Sequence, residues 1–273
     1  MISCRRSSRR CGISAPDPGS GDTVFYSGSP SFTVRRFPVP KSHTLPLLET
    51  VLNQLGCDIV DGRLSEGDTF TLNDICSRFD ISRTVAREAM RALEQLNMVS
   101  SSRRVGITVR PQSDWAVFDS AIIRWRLDNH HERARQLQSL TELRTAVEPV
   151  AASAMAQHAS EEARERIVEL AKLLQHLGDS GRGDSHEFLM ADIEFHTLIL
   201  KASRNEMFAA LAPTVAAVLD GRTQLGMQPA HPVKEALERH AALAESINRG
   251  DKAAAEMHSR ALLTEVAQAL GDK

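Results

Sequence analysis

The chain has 273 residues and carries 33 Lys plus Arg against 35 Asp plus Glu, a formal net charge of −2. That length exceeds one typical domain, the balance excludes a polycation that coats nucleic acid through bulk charge, and no apolar run approaches the roughly 18 to 20 residues a membrane span requires. Its four cysteines, Cys4, Cys11, Cys57 and Cys76, have neither paired zinc-ligand spacing nor the density of a secreted disulfide scaffold, so a reducing cytoplasm is the expected setting.

Residues 1–40 collect Gly, Ser and Pro (APDPGSGD, YSGSPS) around Arg5, Arg6, Arg9, Arg10, Arg35 and Arg36. Such a composition buries too little apolar surface to fold, and a disordered basic tail is expected. No apolar stretch follows the charged start, which argues against a secretory signal. The tail is read either as an inert extension or early start, or as a source of nonspecific attraction to phosphate.

Leu45 to Val60 reads as an amphipathic helix, followed by the Gly-rich turn DGRLSEGDTF. Leu72 to Phe79 (LNDICSRF) is a short helix, and Asp80-Ile81 leaves only a tight turn before Ser82 to Leu96 (SRTVAREAMRALEQL). Ser82 is placed to cap that helix. Arg83 and Arg87, spaced i and i+4, share one side with Arg91 a turn further on, while Val85, Ala86, Ala89, Met90, Leu93 and Leu96 form the apolar stripe. A solvated basic edge on an ordinary helix has the same pattern, but helix, short turn and helix together match helix-turn-helix. Ser100 to Arg110 then reads as a two-stranded wing with Arg103, Arg104 and Gly106 near its tip, where glycine lets backbone approach a phosphate or enter a minor groove. Cys57 and Cys76 are expected to pack as small hydrophobes in this part of the chain. Residues 41–110 hold nine basic and nine acidic residues, so placement rather than net charge points to a duplex.

The order LLETVLNQLGCDIVDGRLSEGD, SRTVAREAMRALEQLNMV and a basic wing ending in GITV resembles the N-terminal domain of GntR-family transcription regulators. The resemblance implies a winged helix-turn-helix in which Arg83 and Arg87 touch operator bases and phosphates. Thr84 and Gly106 match positions that commonly contact DNA, and Ser82, Arg103 and Arg104 complete the expected DNA-facing set. Asn73 departs from members that place a contacting arginine early in the preceding helix.

Beyond Pro111 the reading is all-α, with candidate helices at Asp119 to Asp128, Arg133 to His158, Glu161 to Leu177, Ser185 to Ala202, Glu206 to Leu225, Pro232 to Asn248 and Lys252 to Leu270. Breakers separate them, and an antiparallel bundle spanning 111–273 is expected. Within it, Asp192 and His196 (ADIEFHTLIL) share a helix face, a spacing that permits one ion to be held but also suits a core histidine with an acidic neighbour.

The succession LTELRTAVEPVAASAMA, ADIEFHTLILKASRN and HAALAESINRGDKAAAEM resembles the FCD ligand-binding domain of the fatty-acid-regulator branch of the same family. That resemblance implies a divalent metal, commonly zinc, held by Asp192, His196 and His240, with a carboxylate effector beside it. The fourth ligand of the pattern is replaced by Leu262, and His258 sits one turn earlier. Three outcomes stay open: a three-ligand site with free positions, a site completed by His258, or no tight metal site, and we favour the first. Arg144 matches an arginine of the family that grips a carboxylate; otherwise it would be a surface arginine paired with Glu148. The segment DWAVFDSAIIRWRLDN resembles the subgroup that represses galactonate catabolism, which implies a sugar acid such as an aldonate as effector.

The expectation is a mostly α, cytoplasmic, homodimeric repressor that binds a double-stranded DNA operator and is released by a carboxylate, with no membrane partner. The alternatives are a regulator answering to a dicarboxylate or a fatty-acid derivative, and a metal-dependent hydrolase. No nucleophile elbow, P-loop or dinucleotide fingerprint accompanies the metal residues, so no catalytic residue is assigned.

Overall fold

The computed structural model describes residues 44–271; the expected basic tail, with Cys4 and Cys11, lies outside the described residues. The first part of the fold holds α1 (Thr44–Val60), α2 (Leu72–Phe79) and α3 (Arg83–Gln95) with strands β1 (Thr69–Phe70), β2 (Val99–Ser102) and β3 (Gly106–Val109). A capping box starts α2: the Asp74 N–H donates to the Thr71 hydroxyl while the Thr71 N–H donates to the Asp74 carboxylate at 2.7 Å. The helix stops at Asp80, whose φ of 49° is left-handed, and Ser82 then caps α3 by accepting from the Val85 N–H. These local signals set the sharp turn between the two helices.

The sheet is antiparallel with order β1-β3-β2, Thr69 standing opposite Thr108 and Val99 opposite Val109. The two strands expected between Ser100 and Arg110 are β2 and β3, and a third, unexpected strand joins them because the Gly-rich turn after α1 ends in two residues that pair with β3. A two-residue strand leaves no alternation to read. Leu55, Ile75, Leu93 and Met98 are fully buried in the winged core, and the half-buried Cys57 and Cys76 pack against it.

A short 3-10 turn at Gln112–Asp114 leads to α4 (Ser120–Asp128), α5 (Arg133–His158), α6 (Glu161–Asp179), α7 (His186–Ala202), α8 (Glu206–Ala210), α9 (Ala212–Gln224), α10 (Lys234–Asn248) and α11 (Lys252–Gly271). The expected helices agree to within two residues except one. The segment Glu206 to Leu225, read as a single helix, is two, because Pro213 has no N–H to donate to Ala209 and its ring crowds that carbonyl. Phe195, Met155, Ile167 and Leu174 are fully buried in the bundle core. Among the described residues no helix is long and apolar enough to cross a membrane.

Helix α4 belongs to both cores. Ile122 and Trp125 enter the winged core, while Ile123 and Leu127 enter the bundle core. Trp125 Nε1 donates to Asn53 Oδ1 of α1 at 3.1 Å, and Asn129 Nδ2 donates to Asp61 Oδ1 at 2.5 Å. Gly56 of α1 lies so close to the indole that a Cβ there would sit 2.6 Å from ring carbons, so only glycine admits Trp125 at this depth.

Candidate nucleic-acid interface and metal centre

Helices α2 and α3 and the wing enclose a groove lined by Asn73, Arg83, Arg87, Arg91, Ser102 and Gly106. Arg83 Nη2 donates to Asn73 Oδ1 at 2.8 Å, and Arg91 Nη1 reaches Glu88 Oε1 at 2.8 Å. The departure at Asn73 thus acts on Arg83, steadying it at the groove edge. Arg87 is exposed and makes no hydrogen bond or ion pair among the described residues. Ser82 and Thr84 are exposed at the start of α3, and Arg103 and Arg104 are exposed in the turn between β2 and β3.

Two backbone positions shape that turn. Arg104 has φ 74°, a left-handed conformation unusual for a residue with a side chain. Gly106 has φ 103°, and a Cβ there would stand 2.8 Å from the Phe70 carbonyl oxygen. Glycine is therefore demanded by the close passage of β1, whatever else approaches it.

In the bundle, α5, α7, α9, α10 and α11 surround a cavity of about 260 Å³. Asp192 and His196 reach it from α7 and His240 from α10, and one ligating atom from each lies within 4.8 Å of the others. Asp192 Oδ1 is 3.5 Å from His196 Nε2 and 3.4 Å from His240 Nε2. The far side of each ring is also held: His196 Nδ1 lies 2.7 Å from Glu148 Oε2, and His240 Nδ1 lies 2.8 Å from the Ala236 carbonyl. A carbonyl only accepts, so Nδ1 of His240 carries a proton, and Nε2 is the ring atom turned toward Asp192. That Nε2 is buried without a hydrogen bond despite the nearby carboxylate. Phe195 stands edge-on to both rings, at 5.5 and 5.0 Å between centroids, fixing their tilt.

Electrostatics tie the cluster together. Burial acts to raise the Glu148 pKa, but Arg144 and then His196 overcome it and hold it at about 2. Burial likewise opposes ionisation of Asp192, yet its contacts with His196 and His240 bring it well below the usual carboxylate range. Burial and the nearby Arg144 disfavour a charged His196, but the Glu148 and Asp192 carboxylates together more than offset this, so its pKa is raised. Two ring nitrogens that meet at one carboxylate oxygen suit a positive charge held between them. A divalent cation would supply that charge and give the buried His240 Nε2 a partner.

Arg144 lines the same cavity, but Nε and Nη2 are directed at Glu148 Oε1 and Oε2, at 2.5 and 3.4 Å. The pairing with Glu148 expected of a surface arginine is present, but in the interior, where both residues are buried. Leu262 faces the cavity and is 2% exposed; His258 is neither among the lining residues nor in the ligating group. Sequence reasoning missed Glu148 as the orienting partner of His196, although its spacing of four from Arg144 was a usable signal. It also missed Arg222, which enters the cavity from α9 and has no accompanying motif.

Comparisons with known proteins bear on both parts of the chain. Residues 47–109 match the family described as bacterial regulatory proteins, gntR family, and residues 139–265 match the FCD domain. The galactonate operon transcriptional repressor of Escherichia coli (strain K12) is 28% identical over 230 residues, covering 82% of this chain and 95% of that protein. The uncharacterized HTH-type transcriptional regulator BphR of Paraburkholderia xenovorans (strain LB400) is 33% identical over 93 residues, 34% of this chain and 35% of that protein. Among solved structures, Lar of Listeria monocytogenes, which controls expression of the agr system, superposes with a TM-score of 0.53 at 14% identity, covering 83% of this chain and 97% of that one. At that identity the likeness concerns the fold alone.

Proposed function

Because the chain belongs to the gntR family of bacterial regulatory proteins and carries an FCD domain, a DNA-binding regulator and not an enzyme, we propose that it is a repressor released from its operator by a small carboxylate. The observation that carries this reading is the convergence of Asp192, His196 and His240 on one buried point of a ligand-sized cavity, with His240 Nε2 left unpartnered there.

Asp192, His196 and His240 would hold a divalent ion, zinc by its fit to one carboxylate and two imidazoles. Such an ion supplies a Lewis acid with free positions for oxygen ligands. The protein's own part is to orient the donors. Glu148 and the Ala236 carbonyl fix the two rings, and Arg144 keeps Glu148 ionised. Leu262 replaces a fourth side-chain ligand with an apolar wall, which suits an open rather than a closed coordination shell.

On the DNA side, Arg83, Thr84 and Arg87 of α3 would enter the major groove, with Ser82 at the helix start and Arg103, Arg104 and Gly106 of the wing beside the backbone. Two copies of the chain would place two such helices on half-sites about one helical turn apart. The effector shifts the DNA-bound population only through unequal affinity for the two arrangements of the domains.

The likeness to the galactonate repressor supports a sugar acid such as an aldonate as effector. The walls built by Phe188, Leu219, Val233, Leu262 and Leu263 favour a second reading, a carboxylate with a short apolar body. The test is operator binding at fixed salt, titrated with galactonate, other aldonates, short-chain carboxylates and dicarboxylates, with and without a chelator. Release by one compound, abolished by chelation, is the expected result. DNA binding that no compound alters would overturn the effector reading and leave the winged domain standing.

A further inference from the structure

Five charged or ionisable side chains line the cavity: Arg144, Asp192, His196, Arg222 and His240. Four are engaged with one another or with Glu148. Arg144 is committed to Glu148 through Nε and Nη2, His196 lies between Glu148 and Asp192, and His240 lies against Asp192. Arg222 differs. It makes no hydrogen bond or ion pair among the described residues, and its Nε is buried with nothing to receive its proton.

A buried guanidinium donor without an acceptor is costly, and here the surroundings add to the cost. Burial, and then the like charge of Arg144, push the Arg222 pKa down, with only Asp192 acting to hold it up. Asp192, however, already faces both imidazoles. With a divalent cation at the triad and neutral imidazoles, the two arginines, Glu148 and Asp192 leave the cavity with a surplus of two positive charges. The missing component is an anion with a flat pair of acceptor oxygens, which matches the fork of an arginine.

We infer that Arg222 is the residue that receives the effector's carboxylate, and that Arg144 is a positioning residue which holds Glu148 on His196. This rests on the reading that the cavity takes a carboxylate, and it moves the gripping role from the arginine the sequence singles out to one that it does not. The two arginines then divide the work: one serves the metal ligands from behind, the other faces the guest.

The experiment is calorimetric titration of the full-length zinc-loaded protein with sodium galactonate and with the mono- and dicarboxylates of the operator-release panel, alongside zinc affinity from competition with a chelating dye. Arg222→Gln is expected to lower affinity for the bound carboxylate tenfold or more while zinc affinity stays within about twofold, and Arg222→Lys to recover part of the loss. Arg144→Gln is expected to weaken zinc itself, which an arginine that only gripped the guest would not do. Neither Arg222 variant strands a partner, so both should keep wild-type circular dichroism. If Arg222→Gln binds the carboxylate as wild type does, the assignment is overturned while the carboxylate reading survives. If the wild-type protein binds none of these carboxylates, the carboxylate reading falls and takes the Arg222 assignment with it.

Discussion

The groove on the winged domain and the cavity in the bundle are both built around arginines, and they treat charge in opposite ways. Arg87 stands exposed with no ion-pair partner among the described residues, so water solvates it and its charge is free to act on an outside anion. Arg144 is buried, and its charge is tolerable only because Glu148 meets it at 2.5 Å. The exposed kind acts at long range and is weakened by salt. The buried kind acts over one bond length and resists screening, and removing either partner exposes the full desolvation cost of the other.

The largest expected effect comes from breaking the buried side of this contrast. Glu148→Ala leaves Arg144 uncompensated and His196 without its Nδ1 partner, and should destabilise the protein by about 3–5 kcal/mol in chemical denaturation. A loss under 1 kcal/mol would mean that water reaches this pair. Next, Arg87→Ala should leave stability within about 0.5 kcal/mol of wild type and weaken operator binding by about 1–3 kcal/mol, roughly five- to 150-fold. Operator affinity equal to wild type would remove α3 from its recognition role. Gly56→Ala tests the packing between the two regions: its added methyl collides with the Trp125 ring, and a loss of about 1–3 kcal/mol is expected from thermal or denaturant unfolding. Smallest of all, Arg103→Ala should leave the fold and the effector response untouched and reduce the salt slope of DNA binding by about one; an unchanged slope would place the wing tip away from phosphate.

The same contrast explains how much of the molecule was legible in the sequence. The groove is assembled from neighbours: Thr71, Asp74, Asp80 and Ser82 specify the ends of α2 and α3 through bonds spanning three or four residues, and α2 was read at its observed limits. Strand β1 escaped notice because two residues leave no period, and the break before α9 because the helical pattern continues through Pro213. In the cavity, Asp192 and His196 were visible as a one-turn pair, whereas no spacing ties the distant His240 to them, and its role as a ligand came from family resemblance. Arg222 and the orienting role of Glu148 depend on which helices pack together. Position 222 lies on a helix whose sequence, APTVAAVLDGRTQ, carries no polar pattern pointing inward.

Helix α4 bears on how such proteins can be recombined. Its Trp125 fits the notch left by Gly56 on α1, and its Leu127 fits a second notch on α9, where a Cβ on Gly221 would lie 2.5 Å from the leucine. The chain therefore has no neutral joint between its DNA-reading and ligand-sensing halves at which one half could be exchanged for a relative's. A chimera spliced ahead of α4 would bring a foreign surface against Trp125, and one spliced after it would bring a foreign surface against Leu127. In either case the graft has to carry its matching glycine, so in this protein inheritance of the two halves is coupled through a nine-residue helix.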